Sequence, residues 1–182
     1  MFARFLAIIA LLAPIFLLGQ GASKTFAQDA PWGLAWGPLK DVPRPSFAQR
    51  ESNITALIYL QDRVPPDLRD TEEIVLEVCV GEGLQHIVWV SRRLSDADAD
   101  AQYAAALAEG TRRYGAAGNG LVKNSVEWRT ARTTLRLTQK EAGLRRIVMT
   151  SVGPDFEACS KRHADLTGHP ATEHIAELIA GP

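Results

Sequence analysis

The chain has 182 residues, 20 of them basic and 21 acidic, for a formal net charge of −1. A balance this close to neutral lacks the basic field that nucleic-acid binding requires. A 46% hydrophobic content excludes a disordered chain, and the length fits a single core.

Residues 1–27 read as a secretory signal. Met1-Phe2-Ala3-Arg4 sets one positive charge ahead of an apolar run from Phe5 to Leu18. That run falls short of the roughly 20 helical residues needed to cross a bilayer. Thr25-Phe26-Ala27 offers small residues on either side of Phe26, so cleavage is expected after Ala27. Losing Arg4 and Lys24 with that segment takes the net charge from −1 to −3. No cysteine lies near the end of the apolar run, which excludes a lipoprotein anchor, and no later stretch reaches spanning length. The expected destination is the bacterial periplasm, with secretion as the other outcome. In an exported chain the two cysteines, Cys79 and Cys159, are most simply a disulfide.

Residues 28–50 form a Trp/Gly/Pro-rich arm. Pro31, Pro38, Pro43 and Pro45 with Gly33 and Gly37 rule out a long helix or a central strand. A single α+β domain is expected over 51–182. Strands are predicted at Asn53–Gln61, Glu73–Val80 and Leu84–Arg92, the last two as a hairpin on Gly81-Glu82-Gly83. In the first of the pair, Ile74, Leu76, Val78 and Val80 point inward and Glu73, Val75, Glu77 and Cys79 take the opposite, solvent-leaning face. Ser95 then caps the main helix, with Asp96, Asp98 and Asp100 suited to its positive end. Tyr103, Ala104, Leu107, Thr111 and Tyr114 give that helix one packing face, and Gly115 ends it. Further strands are predicted at Leu121–Trp128, Thr133–Thr138 and Leu144–Ser151. A short helix from Gly153-Pro154 through Cys159 to His163 follows, and Pro170 opens a terminal one. The fold class is therefore α+β: an antiparallel sheet of five to six strands with helices packed on one face.

The motifs are mostly negative. Asp96-Ala-Asp98-Ala-Asp100 begins like a calcium loop, but Ala101 and Leu107 stand where glycine and a bidentate glutamate are required. Gly115 to Gly120 is glycine-rich yet follows a helix, so it is a linker and no phosphate cradle. Glu77 and His86 on adjacent strands are an acid–base pair only if both face a cleft, and otherwise a cross-strand contact. Ser91 and Ser125 lack a nucleophile-elbow sequence around them. Asn53-Ile54-Thr55 is a glycosylation sequon. No cofactor motif is present and none is expected.

These readings converge on a non-catalytic exported binding or interaction domain that acts on a protein or an envelope component. Trp32 and Trp36 on the arm, with exposed strand faces, are its expected contact residues. The alternative is a periplasmic metal-binding protein using His163, His169 and His174, with Cys159 four residues before His163 as a further donor. A hydrolase without a recognisable motif is the third reading.

Overall fold

The computed structural model describes residues 30–64, 68, 70–138 and 142–171. The segment 1–27 and the terminal helix expected beyond Ala171 lie outside the described residues. Alternating branched and aromatic side chains build one antiparallel sheet from β1 (Phe47–Glu51), β2 (Ile54–Leu60), β3 (Thr71–Cys79), β4 (Gly83–Ser91), β5 (Gly118–Asn119), β6 (Ser125–Trp128), β7 (Thr133–Leu137) and β8 (Ile147–Val152). Their order is β1-β2-β3-β4-β8-β7-β6-β5. Helix α1 (Asp96–Tyr114) follows β4 and α2 (Phe156–Thr167) follows β8. Each half of the chain is a four-strand meander closed by a helix. The halves join where β4 runs antiparallel to β8, with Val88 opposite Thr150.

The α+β class and antiparallel sheet agree with expectation, but the sheet has eight strands, more than the five to six expected. The additions are its two edges. β1 follows the prolines of the arm, and four of its five residues are exposed, so it carries no apolar alternation to read. β5 is Gly118–Asn119 alone, inside the stretch that composition presents as a linker. Short edge strands limit pairing with other chains.

The helices also do not share a face. Leu57, Tyr59, Ile74, Leu76, Ile87 and Trp89 point to the side where α1 packs through Ala99, Tyr103, Ala106, Leu107 and Tyr114. Ala56, Ile58, Val75, Val88, Val90 and Val148 form a second buried cluster on the opposite side. There Ile54 and Cys79 meet Phe156 and Cys159 of α2. The side of β3 expected to lean toward solvent is therefore interior: Glu77 is 1% exposed and Val75 also 1%.

Ser95 caps α1 as expected, its hydroxyl accepting from Asp98 N–H. Gly115, in a positive-φ conformation, closes the helix by donating to Thr111 O. The packing face is shifted from the one expected, because Ala104 and Thr111 are exposed while Ala99 and Gly110 are buried. Trp128 explains the shift. Its ring lies against Gly110, where an added Cβ would come within 2.3 Å of it. Its indole N–H donates to Gly115 O at 3.1 Å.

The arm is tied to the sheet through backbone. Gly37 and Leu84 exchange hydrogen bonds, Tyr59 Oη donates to Pro43 O at 2.9 Å, and Arg113 reaches Ala30 O. Cys79 and Cys159 are joined as expected, closing a separation of 80 residues. Such a closure stabilises by about 4–5 kcal/mol in the chain-entropy account. Arg162 of α2 adds bonds to Val80 O and to Glu82 in the β3–β4 turn. Its guanidinium holds the Glu82 carboxyl below the usual carboxylate range. Among the described residues no helix is long and apolar enough to cross a membrane.

Gly110 gives a test of the α1 packing. In an open helix Gly→Ala stabilises by up to about 1 kcal/mol. Here the Trp128 ring must move, so Gly110→Ala is expected to destabilise by about 1–3 kcal/mol, read from the urea midpoint. A gain in stability would show that the contact is loose.

Candidate metal centre

The residues that converge come from three elements and include one the sequence did not single out. Glu51 is the last residue of β1. A tight turn through Ser52, in left-handed backbone (φ 50°), leads to Asn53 at the head of β2. His163 sits in the last half of α2. Gly168, left-handed at φ 90°, caps α2 and turns the chain so that His169 returns beside His163. Thr167 secures that turn: its hydroxyl donates to His163 O at 2.8 Å and accepts from His169 N–H.

His163 Nε2 lies 3.6 Å from Glu51 Oε2, and His169 Nε2 lies 3.3 Å from Glu51 Oε1. The two imidazole centroids are 5.4 Å apart with the rings near perpendicular. One donor atom from each residue falls within 4.8 Å of the others. Donors about 2.1 Å from one tetrahedral ion are about 3.4 Å from each other. Each imidazole is near that spacing from one oxygen of the Glu51 carboxylate, while the set with one donor atom per residue is wider, within 4.8 Å.

The tautomer of His163 follows from its neighbour. Asn53 Nδ2 is 3.2 Å from Cys159 O, which can only accept, so the amide nitrogen is on that side. Asn53 Oδ1 therefore faces His163 Nδ1, 3.0 Å away, and Nδ1 carries the proton. In the neutral ring that leaves the lone pair on Nε2. His163 is 1% exposed, and its Nε2 has no hydrogen-bond partner among the described residues. A lone pair buried there and facing a carboxylate is unfavourable unless a proton or a metal ion lies between them.

The other expected residues are placed differently. Cys159 is in the disulfide and has no thiolate to offer a metal. His174 lies outside the described residues. Trp32 and Trp36 are half-buried and pack against the main cluster. Ser91 is buried, receiving Ile147 N–H and donating to Arg92 O, and Ser125 bonds Val122 O across a turn. Asn53 is buried with both side-chain polar atoms engaged, which removes it as a glycan acceptor.

Glu77 and His86 do meet. A bulge in β4 at Gln85 puts His86 on the face of Val88, opposite Glu77, while Leu84 turns to the other side. His86 Nδ1 is 3.1 Å from Glu77 Oε2, at 7% and 1% side-chain exposure. The His86 ring rests on Phe156 at 5.2 Å. This is a closed cross-strand contact in the interior, away from any third ligand. Glu51 was missed because its neighbours in space are over a hundred residues away in sequence. A polar Asn53 at the head of an apolar strand was the one local signal.

Truncating Glu77 to Ala strands His86 in the interior and is expected to cost about 3 kcal/mol. Glu77→Gln keeps an acceptor for Nδ1–H and should cost about 1 kcal/mol, so thermal midpoints of the two variants should separate clearly. Compared with known proteins, the chain matches no family model, no curated protein and no solved structure.

Proposed function

We propose that the chain is an exported, non-catalytic domain that binds a divalent transition-metal ion through Glu51, His163 and His169. The observation that carries this reading is the buried, partnerless Nε2 of His163, its tautomer fixed by Asn53 and its lone pair aimed at Glu51. Two imidazoles and a carboxylate suit zinc or copper(II) and suit calcium or magnesium poorly. Three protein donors leave coordination open for water or for a group from a partner. The signal-like residues 1–27 and the disulfide support export.

The competing account of the same geometry is a proton on Nε2, making His163 a plain ion-pair partner of Glu51. Calorimetric titration of the mature chain with zinc separates the two. A single saturable site is expected, weakened roughly 100-fold or more in His163→Ala and in Glu51→Ala. Zinc at 100 times its Kd should also raise stability by about 2.7 kcal/mol, seen as a higher Tm. A protein that ignores zinc and copper in both measurements is held together there by a proton.

A second reading keeps the arm as a contact surface for a protein or envelope component. It rests on Trp32, whose left-handed backbone (φ 56°, ψ 30°) is rare for a bulky residue and marks a held conformation. Replacing Trp32 and Trp36 together should then abolish partner capture from an envelope extract while leaving the fold intact. Unchanged capture would remove the arm from consideration.

A further inference from the structure

We infer that Asn53 couples the metal centre to the Cys79–Cys159 disulfide, so that a dithiol reductant weakens metal binding and bound metal protects the disulfide. This rests on the metal reading above.

The disulfide and the metal ligands bridge the same two bodies. Cys79 and Glu51 belong to the sheet, whereas Cys159 and His163 sit one turn apart on α2, with His169 just past its end. Asn53 lies between the two bridges. Its carbonyl accepts from Val80 N–H, next to Cys79, at 2.8 Å. Its amide N–H reaches Cys159 O at 3.2 Å and lies 3.7 Å from Cys159 Sγ. Its amide oxygen holds His163 Nδ1–H. One side chain thus reads the position of the half-cystine and sets the orientation of the ligand.

The other fastenings of α2 are small. The apolar cluster beneath it is Ile54, Phe156 and Ala171 with the two cysteines themselves and Val152 at its margin, joined by single hydrogen bonds from Asp155 N–H to Gln85 and from Arg162 to Val80 O. The ion pairs Arg162–Glu82 and Arg132–Glu157 are partly exposed and hold weakly. Cutting the disulfide therefore lets α2 and its histidines leave Glu51. Two cross-links between the same bodies raise each other's effective concentration, and the coupling must be equal in both directions.

The chemistry is thiol–disulfide exchange. A thiolate of the dithiol attacks one sulfur and forms a mixed disulfide. Its second thiol then displaces the remaining cysteine. Two electrons and two protons pass to Cys79 and Cys159, and the reductant leaves as its own disulfide.

The test uses the mature chain with zinc as the probe. Cys79→Ser/Cys159→Ser carries no thiols to bind zinc, and its affinity is expected to fall roughly tenfold or more below the oxidised parent. In parallel, the rate of disulfide reduction by a water-soluble phosphine, which spares the metal, is followed with and without saturating zinc. A slowing by saturating zinc is expected in the parent and none in His163→Ala. This kinetic arm decides the matter if the serine variant does not fold. Asn53→Ala should lose about tenfold in zinc affinity with the disulfide intact. Asn53→Asp keeps the acceptor for Nδ1–H but drops the donor to Cys159, so it should retain affinity and lose the coupling. Zinc binding that is indifferent to the disulfide, with equal reduction rates, overturns the coupling alone. An oxidised parent that binds no zinc overturns the metal reading and this inference with it.

Discussion

A sheet with apolar side chains on both faces has to be covered twice, and the second cover is what this chain can least easily supply. On one face α1 offers 19 residues, packing through Tyr103 and Leu107 and taking the Trp128 ring against Gly110. On the other, α2 has 12 residues, of which Phe156, Cys159 and His163 are buried. A helix that short is marginal by itself, so its place depends on what ties it to the sheet. The Cys79–Cys159 bond does this covalently, from the end of β3 to the first turns of α2. The turn after α2, the partnership of Asn53 with His163 and the approach of His169 to Glu51 all presuppose that attachment.

The elements with a strong period were legible. β2, β3, β4 and α1 announce themselves through alternation, a glycine turn and a serine cap, and they lie where expected to within a few residues. What failed was the assignment of an outside. Glu73, Glu77 and Cys79 alternate with Ile74, Leu76 and Val78, and alternation of polar with apolar ordinarily marks a half-exposed strand. Here Val75 and Val88 share the face of Glu77, and those valines carry the truth that the glutamates conceal. A polar residue on a buried face reads as solvent-facing until its partner is known, and His86 becomes that partner only through the bulge at Gln85. The edge strands fail for a different reason. β1 buries almost nothing, so its sequence is free of the pattern by which strands are recognised.

The site was legible in half. His163 and His169 stand out as histidines in a short tail, and the cysteine pair is plain arithmetic. Glu51 ends an edge strand with nothing local to distinguish it from Glu73, and Asn53 is marked only as a polar residue ahead of an apolar strand. Their relevance comes from the β1–β2 turn lying beside the end of α2, a neighbourhood set by the disulfide. The pairing also reverses the expected role of Cys159. Placed four residues before His163, it looks like a co-ligand, yet its sulfur is in the disulfide that ties to β3 the helix that carries His163.

Among the described residues histidines meet carboxylates in two places, at Glu77 and at Glu51, and the contrast shows why the second is read as a site. His86 Nδ1 and Glu77 Oε2 are opposed across a ladder, 3.1 Å apart, while Glu77 Oε1 is buried without a hydrogen-bond partner among the described residues. A contact of this kind fixes register, and no third metal-type donor gathers at it among the described residues. At the β1 edge the corresponding distance is 3.6 Å, and a further imidazole stands at 3.3 Å from the same carboxylate. Asn53 satisfies the Nδ1 side of His163, so the Nε2 side is where a proton or a metal ion has to answer the carboxylate. A cation shared by all three donors is the proposal that also accounts for a half-exposed carboxylate and a half-exposed imidazole converging on a buried one.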